Sequence, residues 1–135
     1  MNNLKVNIIN ATQHQPTQEQ IEAGVYASVN VSEFLTFDEI PSKKEMHLAA
    51  QSIASAIWEC HVSHCELNLL DTMREPCIAM IGGAPWFMSI LEMYLGIHNI
   101  NPVYAFSERV SEEVHNADGS VTKVNKFKHV GFVGL

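Results

Sequence analysis

The chain has 135 residues, 47% of them hydrophobic and 17% charged, with a formal net charge of −7. This is enough chain to bury a core in one domain, and the balance of residues is globular rather than disordered. The acidic charge excludes a broad surface for duplex nucleic acid, which needs basic groups to neutralise phosphates, but leaves room for a small anion held by a few placed groups.

Leu4 to Asn10 is an apolar, mostly β-branched run too short for a helix and reads as a first strand. The polar loop Ala11 to Pro16 ends it. Thr17 and Gln20 form a capping-box pattern that predicts a short helix from Gln18 to Ala23, with Gly24 placed to stop it. Val25 to Val31 reads as a second strand, and Ser32 to Glu39 fits either a helical turn or an extended segment. Ser42 and Glu45 suggest another capping box, opening a helix whose stripe includes Met46, Ala49, Ala50, Ile53, Ala54, Ile57 and Trp58. Cys60 to Glu75 is less regular and allows that helix to continue to about Leu70.

Cys77 to Ile81 is apolar throughout, as expected of a central strand covered on both faces. Gly82 and Gly83 follow, and Pro85 opens a helix running to His98. Val103 to Ser107 is a fourth strand. Glu108 to His115 and Ser120 to Val133 then form a β-hairpin about the Asp118-Gly119 turn. The alternation predicts a single α/β domain over residues 1–135, Rossmann-like and three-layered. Its sheet is mostly parallel and extended by the C-terminal strand and hairpin of residues 105–133.

Met1 to Val6 has no long apolar signal region, and no segment approaches membrane-spanning length. Three cysteines are an odd number and argue against a secreted disulfide framework. The expectation is a cytoplasmic protein with reduced thiols and no membrane partner.

Ligands of open α/β sheets bind beyond the carboxyl ends of the parallel strands. Three loops are expected to meet there: Thr12-Gln13-His14, Gly82-Gly83-Ala84-Pro85 and Ser107-Glu108-Arg109. Free backbone N–H groups and the positive end of a helix make the glycine turn a cradle for an anion, and Arg109 suits a phosphate. Trp86 is either a core anchor or a platform for a nucleobase. On the hairpin, Lys123, Lys126, Lys128 and His129 alternate with apolar residues, so they form either a solvated outer face or a basic flap over the same ligand. Cys60, His61, His64 and Cys65 have zinc-type chemistry. Four ligands from one helical stretch would struggle to surround an ion, so neither a metal nor another cofactor is assigned.

Several motifs together resemble a group of small uncharacterised bacterial and prophage proteins. They are Asn10 to His14, Thr17 to Gln20, Ala23-Gly24-Val25, Leu35-Thr36-Phe37, Ile81 to Pro85, Tyr104 to Ser107 with Arg109, Asp118 to Val121, and His129 to Val133. The resemblance spans most of the chain outside Cys60 to Glu75. Through Thr12 to Thr17 and the general layout, the chain is also similar to CRISPR-ancillary proteins of the CARF and ring-nuclease type. That similarity implies binding or metal-independent cleavage of a cyclic oligonucleotide, at the interface of a homodimer or higher homo-oligomer.

The expected function is therefore binding of a small nucleotide signal in phage defence or anti-defence. Gly82 to Pro85 and Arg109 would hold phosphate, while Thr12, Gln13 and His14 would contact the ribose or the scissile phosphate. In a nuclease His14 would be the general acid or base, because an imidazole exchanges protons near neutral pH, and the ligand's own 2′-hydroxyl would be the nucleophile. The alternative is a non-enzymatic interaction module whose exposed hairpin pairs with a phage or host protein.

Overall fold

A computed structural model describes residues 6–135. In chain order the elements are β1 (Ile8–Asn10), α1 (Gln18–Glu22), β2 (Val25–Ser28), α2 (Ser32–Leu35), α3 (Lys43–Leu67), β3 (Cys77–Met80), α4 (Pro85–Ile97), β4 (Ile100–His115) and β5 (Val121–Val133). The fold is mixed α/β. Its five-stranded sheet has the order β2-β1-β3-β4-β5, with the first four strands parallel and β5 antiparallel to β4.

Local chemistry accounts for most boundaries. The Thr17 side chain accepts from the Gln20 N–H, and the Gln20 side chain accepts from the Thr17 N–H, which completes the capping box of α1. Gly24 then turns the chain into β2 with a φ of +126°, a region that L side chains rarely adopt. Ser42 caps α3 by accepting from the Glu45 N–H at 3.1 Å. The ambiguous Ser32 to Glu39 segment resolves into the single-turn α2 followed by non-helical chain. Leu4 and Lys5, the start of the expected first strand, lie outside the described residues.

The core is uneven. The larger cluster packs Ala50, Ile53 and Ile57 of α3 and Phe87, Leu91 and Leu95 of α4 against Ile9, Ala79 and Ile81. A smaller cluster, with Ile8, Val25, Ile78, Met80 and Val103, lies on the opposite side of the sheet. Strand alternation produces this division, because Ile8 and Ile9, or Ile78 and Ala79, point to opposite faces. The helix α1, which buries none of its own residues, packs against β2.

The C-terminal region departs most from expectation. The fourth strand and the first arm of the hairpin are one continuous 16-residue strand, β4. No glycine or proline interrupts Val103 to His115, and β5 supplies partners along the strand from Tyr104 to His115. From Ser107 onward, among the described residues, the ribbon has no strand but β5 beside it. Its nine remaining β4 residues project roughly 30 Å at the usual rise per residue. A bulge between Phe106 and Ser107, where Val130 is the unpaired residue of β5, marks the root of this arm.

Candidate functional site

The strand order reverses between β1 and β3, which are neighbours although β2 separates them in the chain. Such a switch point leaves a crevice, because the loops leaving the two strands turn to opposite sides of the sheet. Here Asn10 is in register with Met80, and the Ala11 N–H donates to the Met80 carbonyl at 2.8 Å, so the two loops leave side by side. Between them opens a cavity of about 690 Å³ whose lining includes Thr12, Gln13, His14, Gly82, Gly83 and Ala84.

Asn10 shapes the first loop. It is buried at the end of β1, and its Oδ1 accepts from the Thr12 N–H at 3.0 Å and the Thr12 hydroxyl at 2.7 Å. Its Nδ2 donates to the His14 carbonyl at 2.8 Å and to Ser28 Oγ at 3.1 Å. Two donors on the oxygen and two acceptors on the nitrogen define the orientation of the amide. The loop is thereby bent back on its own strand, leaving the Gln13 and His14 side chains exposed at the cavity. Gln13 also reaches Thr36, with Nε2 3.4 Å from Oγ1.

The second wall is the glycine turn. Gly83 has a φ of +156°, and a Cβ there would stand 3.2 Å from Met88 Cε and 3.6 Å from Leu35 Cδ2. A Cβ on Gly82 would meet Thr12 Cγ2 at an ordinary 3.7 Å, a measure of how closely the two loops approach. Phe87 and Met88 N–H groups both donate to the Ala84 carbonyl at the start of α4. Among the described residues, the amides of Gly82 and Gly83 have no protein acceptor. The 13-residue α4 directs its N-terminus to the same turn.

Tyr104 and Ala105 supply the third wall in place of the expected Ser107 to Arg109 loop. The Tyr104 hydroxyl donates to Glu92 Oε1 at 2.9 Å. Burial first, then that hydrogen bond and the carboxylate charge, push this hydroxyl up to about 12, so it remains a protonated donor. Because β4 runs on without a break, Ser107 and Arg109 stand on the arm, opposite His129 and Phe127 respectively. Lys126 is also on the arm, where its Nζ lies 3.1 Å from Glu112 Oε2. None of Ser107, Arg109, Lys126 and His129 lines the cavity, and neither does Pro85; among the described residues no Lys or Arg does. Nor do the basic groups form one face: Lys126 and Lys128 share one side of the ribbon, whereas Lys123, His129 and Arg109 take the other.

Trp86 faces a different depression. The next residue, Phe87, is wholly buried, which turns the indole outward against Phe37, with ring centroids 5.3 Å apart. Together with Asp38, Glu39, Ile40 and Met46 they line a groove of about 610 Å³. The Cys60 to Cys65 stretch belongs to α3. His61 and Cys65 are buried with Nε2 and Sγ 3.7 Å apart, while His64 tilts against the Tyr26 ring. Among the described residues no group of three or more His, Cys, Asp or Glu side chains is arranged to hold a metal ion.

Asn10, Tyr104 and Ala105 are among the site residues that sequence reasoning missed. A lone Asn at the end of an apolar strand reads as a stop signal. That it is buried, and so needs four partners, appears only once β2 and β3 flank it.

Fold and site together define a mixed α/β protein with a cavity at its topological switch point and a projecting β-arm. The chain belongs to the Uncharacterized protein MJ1673 family, whose sequence model matches residues 6–133. No curated protein and no solved structure matches it. Among the described residues no helix is long and apolar enough to cross a membrane.

Proposed function

We propose that the switch-point cavity binds a small phosphate-bearing nucleotide signal, with a cyclic oligonucleotide as the ligand class. The observation that carries this reading is the meeting of the Thr12-Gln13-His14 loop and the Gly82-Gly83-Ala84 turn around one cavity. Amides with no protein acceptor at the mouth of a helix N-terminus suit phosphate oxygens. The Thr12 hydroxyl, Gln13 amide and His14 imidazole suit a ribose or a base edge. A volume of about 690 Å³ is in the range of small-molecule sites. Among the described residues the wall has no Lys or Arg, and the groups it does offer a phosphate are backbone dipoles and neutral donors. The resemblance of Thr12 to Thr17 to ring-nuclease-type proteins, drawn from the sequence, is the ground for extending the proposal to cleavage in phage defence or anti-defence.

In the catalytic form, the ligand's 2′-hydroxyl attacks the adjacent phosphorus. The P–O5′ bond breaks, and the products are a 2′,3′-cyclic phosphate and a 5′-hydroxyl. His14 takes the 2′-hydroxyl proton or delivers one to the leaving oxygen, with Thr12 beside it as a hydrogen-bond donor or acceptor. A thermal-shift series of the purified chain against cyclic oligonucleotides and linear nucleotides tests binding. A true ligand at about 100 times its Kd stabilises by about 2.7 kcal/mol through mass action. His14→Ala is expected to lose product formation while retaining part of the shift, and Gly83→Glu to lose both. No shift and no product across the common rings would sink the proposal. In that event, arm-dependent capture of another protein would favour the interaction-module reading.

A further inference from the structure

The arm carries a second feature that the cavity does not use. On one side of the ribbon, Arg109 stands directly opposite Phe127, with Ser107, His129, Ser111 and Asn125 on the neighbouring rungs. Phe127 is 75% exposed, and Arg109 is exposed with no carboxylate partner among the described residues. Aromatic residues, Phe among them, and arginine are both enriched at protein interfaces relative to the rest of the surface. Neither residue lines either large cavity of its own chain.

The chain itself presents the complement. The groove beside α4 has an aromatic floor of Phe37 and Trp86, and Asp38 and Glu39 on its wall. Ile40 in that wall is 99% exposed, and Trp86 is 52% exposed. The distribution of charge is compatible with the match. The arm beyond Tyr104 carries four acidic and four basic side chains, so the whole net charge of −7 sits on the remainder, and all three charged residues of β5 are lysines. A neutral arm meets no net repulsion at the acidic body, and the local complement is Arg109 against Asp38 and Glu39.

We propose that the occupant of this groove is the arm of a second copy of the chain. Phe127 enters the Phe37–Trp86 floor and Arg109 pairs with Asp38 and Glu39. The exchange is reciprocal about a two-fold axis, which closes the assembly at two copies. It also shields a two-stranded ribbon that is marginal in water when left alone. The proposal does not depend on a nucleotide in the switch-point cavity, and its test contains none.

Sedimentation equilibrium of the full chain is expected to give twice the monomer mass of 15.1 kDa. Phe127→Ser and Arg109→Glu should each weaken association by about tenfold or more, as should the double change Asp38→Lys with Glu39→Lys, with circular dichroism unchanged. Combining Arg109→Glu with the two lysine substitutions should restore the dimer, a rescue that misfolding cannot mimic. A monomeric wild-type chain at every accessible concentration overturns the proposal. So does a dimer that tolerates both arm substitutions, or a combined variant that stays monomeric.

Discussion

Asn10 shows how one side chain organises the cavity. Its amide makes four hydrogen bonds, three of them to the Thr12–His14 loop and one to Ser28 on β2. Asn10→Ala removes all four and leaves the groups they satisfied to find other partners. A loss of about 2–3 kcal/mol is expected in urea denaturation, together with a weaker nucleotide-induced shift in melting temperature. Unchanged stability and an unchanged shift would show that the loop holds its shape without Asn10. The place of Thr12, Gln13 and His14 at the cavity was legible beforehand because a polar cluster after a first parallel strand falls at the carboxyl edge of the sheet whatever the rest of the sheet does. Asn10 was not, since its burial depends on strands contributed by residues far along the chain.

At the scale of elements, turn glycines separate local from tertiary demands. A Cβ at Gly24 would lie 1.9 Å from the Val6 carbonyl oxygen, in addition to the positive φ of the turn between α1 and β2. Gly119, in the turn between β4 and β5, also has a positive φ, but nothing lies within 4 Å of its Cβ position. Gly24→Ala is expected to cost about 3 kcal/mol or more, and Gly119→Ala about 1 kcal/mol, measured as a difference in thermal unfolding. Equal effects would mean that backbone strain, not the clash, dominates at Gly24. Both glycines were readable as punctuation. The hairpin turn at Asp118-Gly119 and the caps at Thr17 and Ser42 were readable for the same reason, because they satisfy backbone groups within a few residues. The merging of the fourth strand with the hairpin was less readable, because strand length here follows from the reach of β5 and not from β4 alone.

For the whole molecule, burial sets a pH limit on stability. The Cys77 thiol is pushed up to about 12 by burial first and then by the neighbouring Cys60 and Cys65. The unfolded thiol ionises at its ordinary value of 9.0, so above that pH the unfolded chain binds fewer protons than the folded one. The stabilisation is therefore complete below about pH 9 and is lost as pH rises towards about 12. Urea midpoints compared at about pH 8 and about pH 11 should fall, and Cys77→Ala should flatten that fall relative to its own value at the lower pH. An identical slope in the variant would place the alkaline loss on other groups, such as the raised Tyr104 hydroxyl.

The sequence by itself determined the alternation of strands and helices, the helix caps, the glycine turns and two of the three walls of the cavity. Each depends on interactions within a short stretch of chain or on the period of a single element. Tertiary structure alone decided that β1 lies beside β3, which creates the switch point and buries Asn10. It also decided that β4 continues past the sheet, which puts Tyr104 and Ala105 where Ser107 and Arg109 were expected. Both outcomes depend on which distant strand supplies the hydrogen bonds of an edge, and local sequence pattern does not encode the identity of that partner.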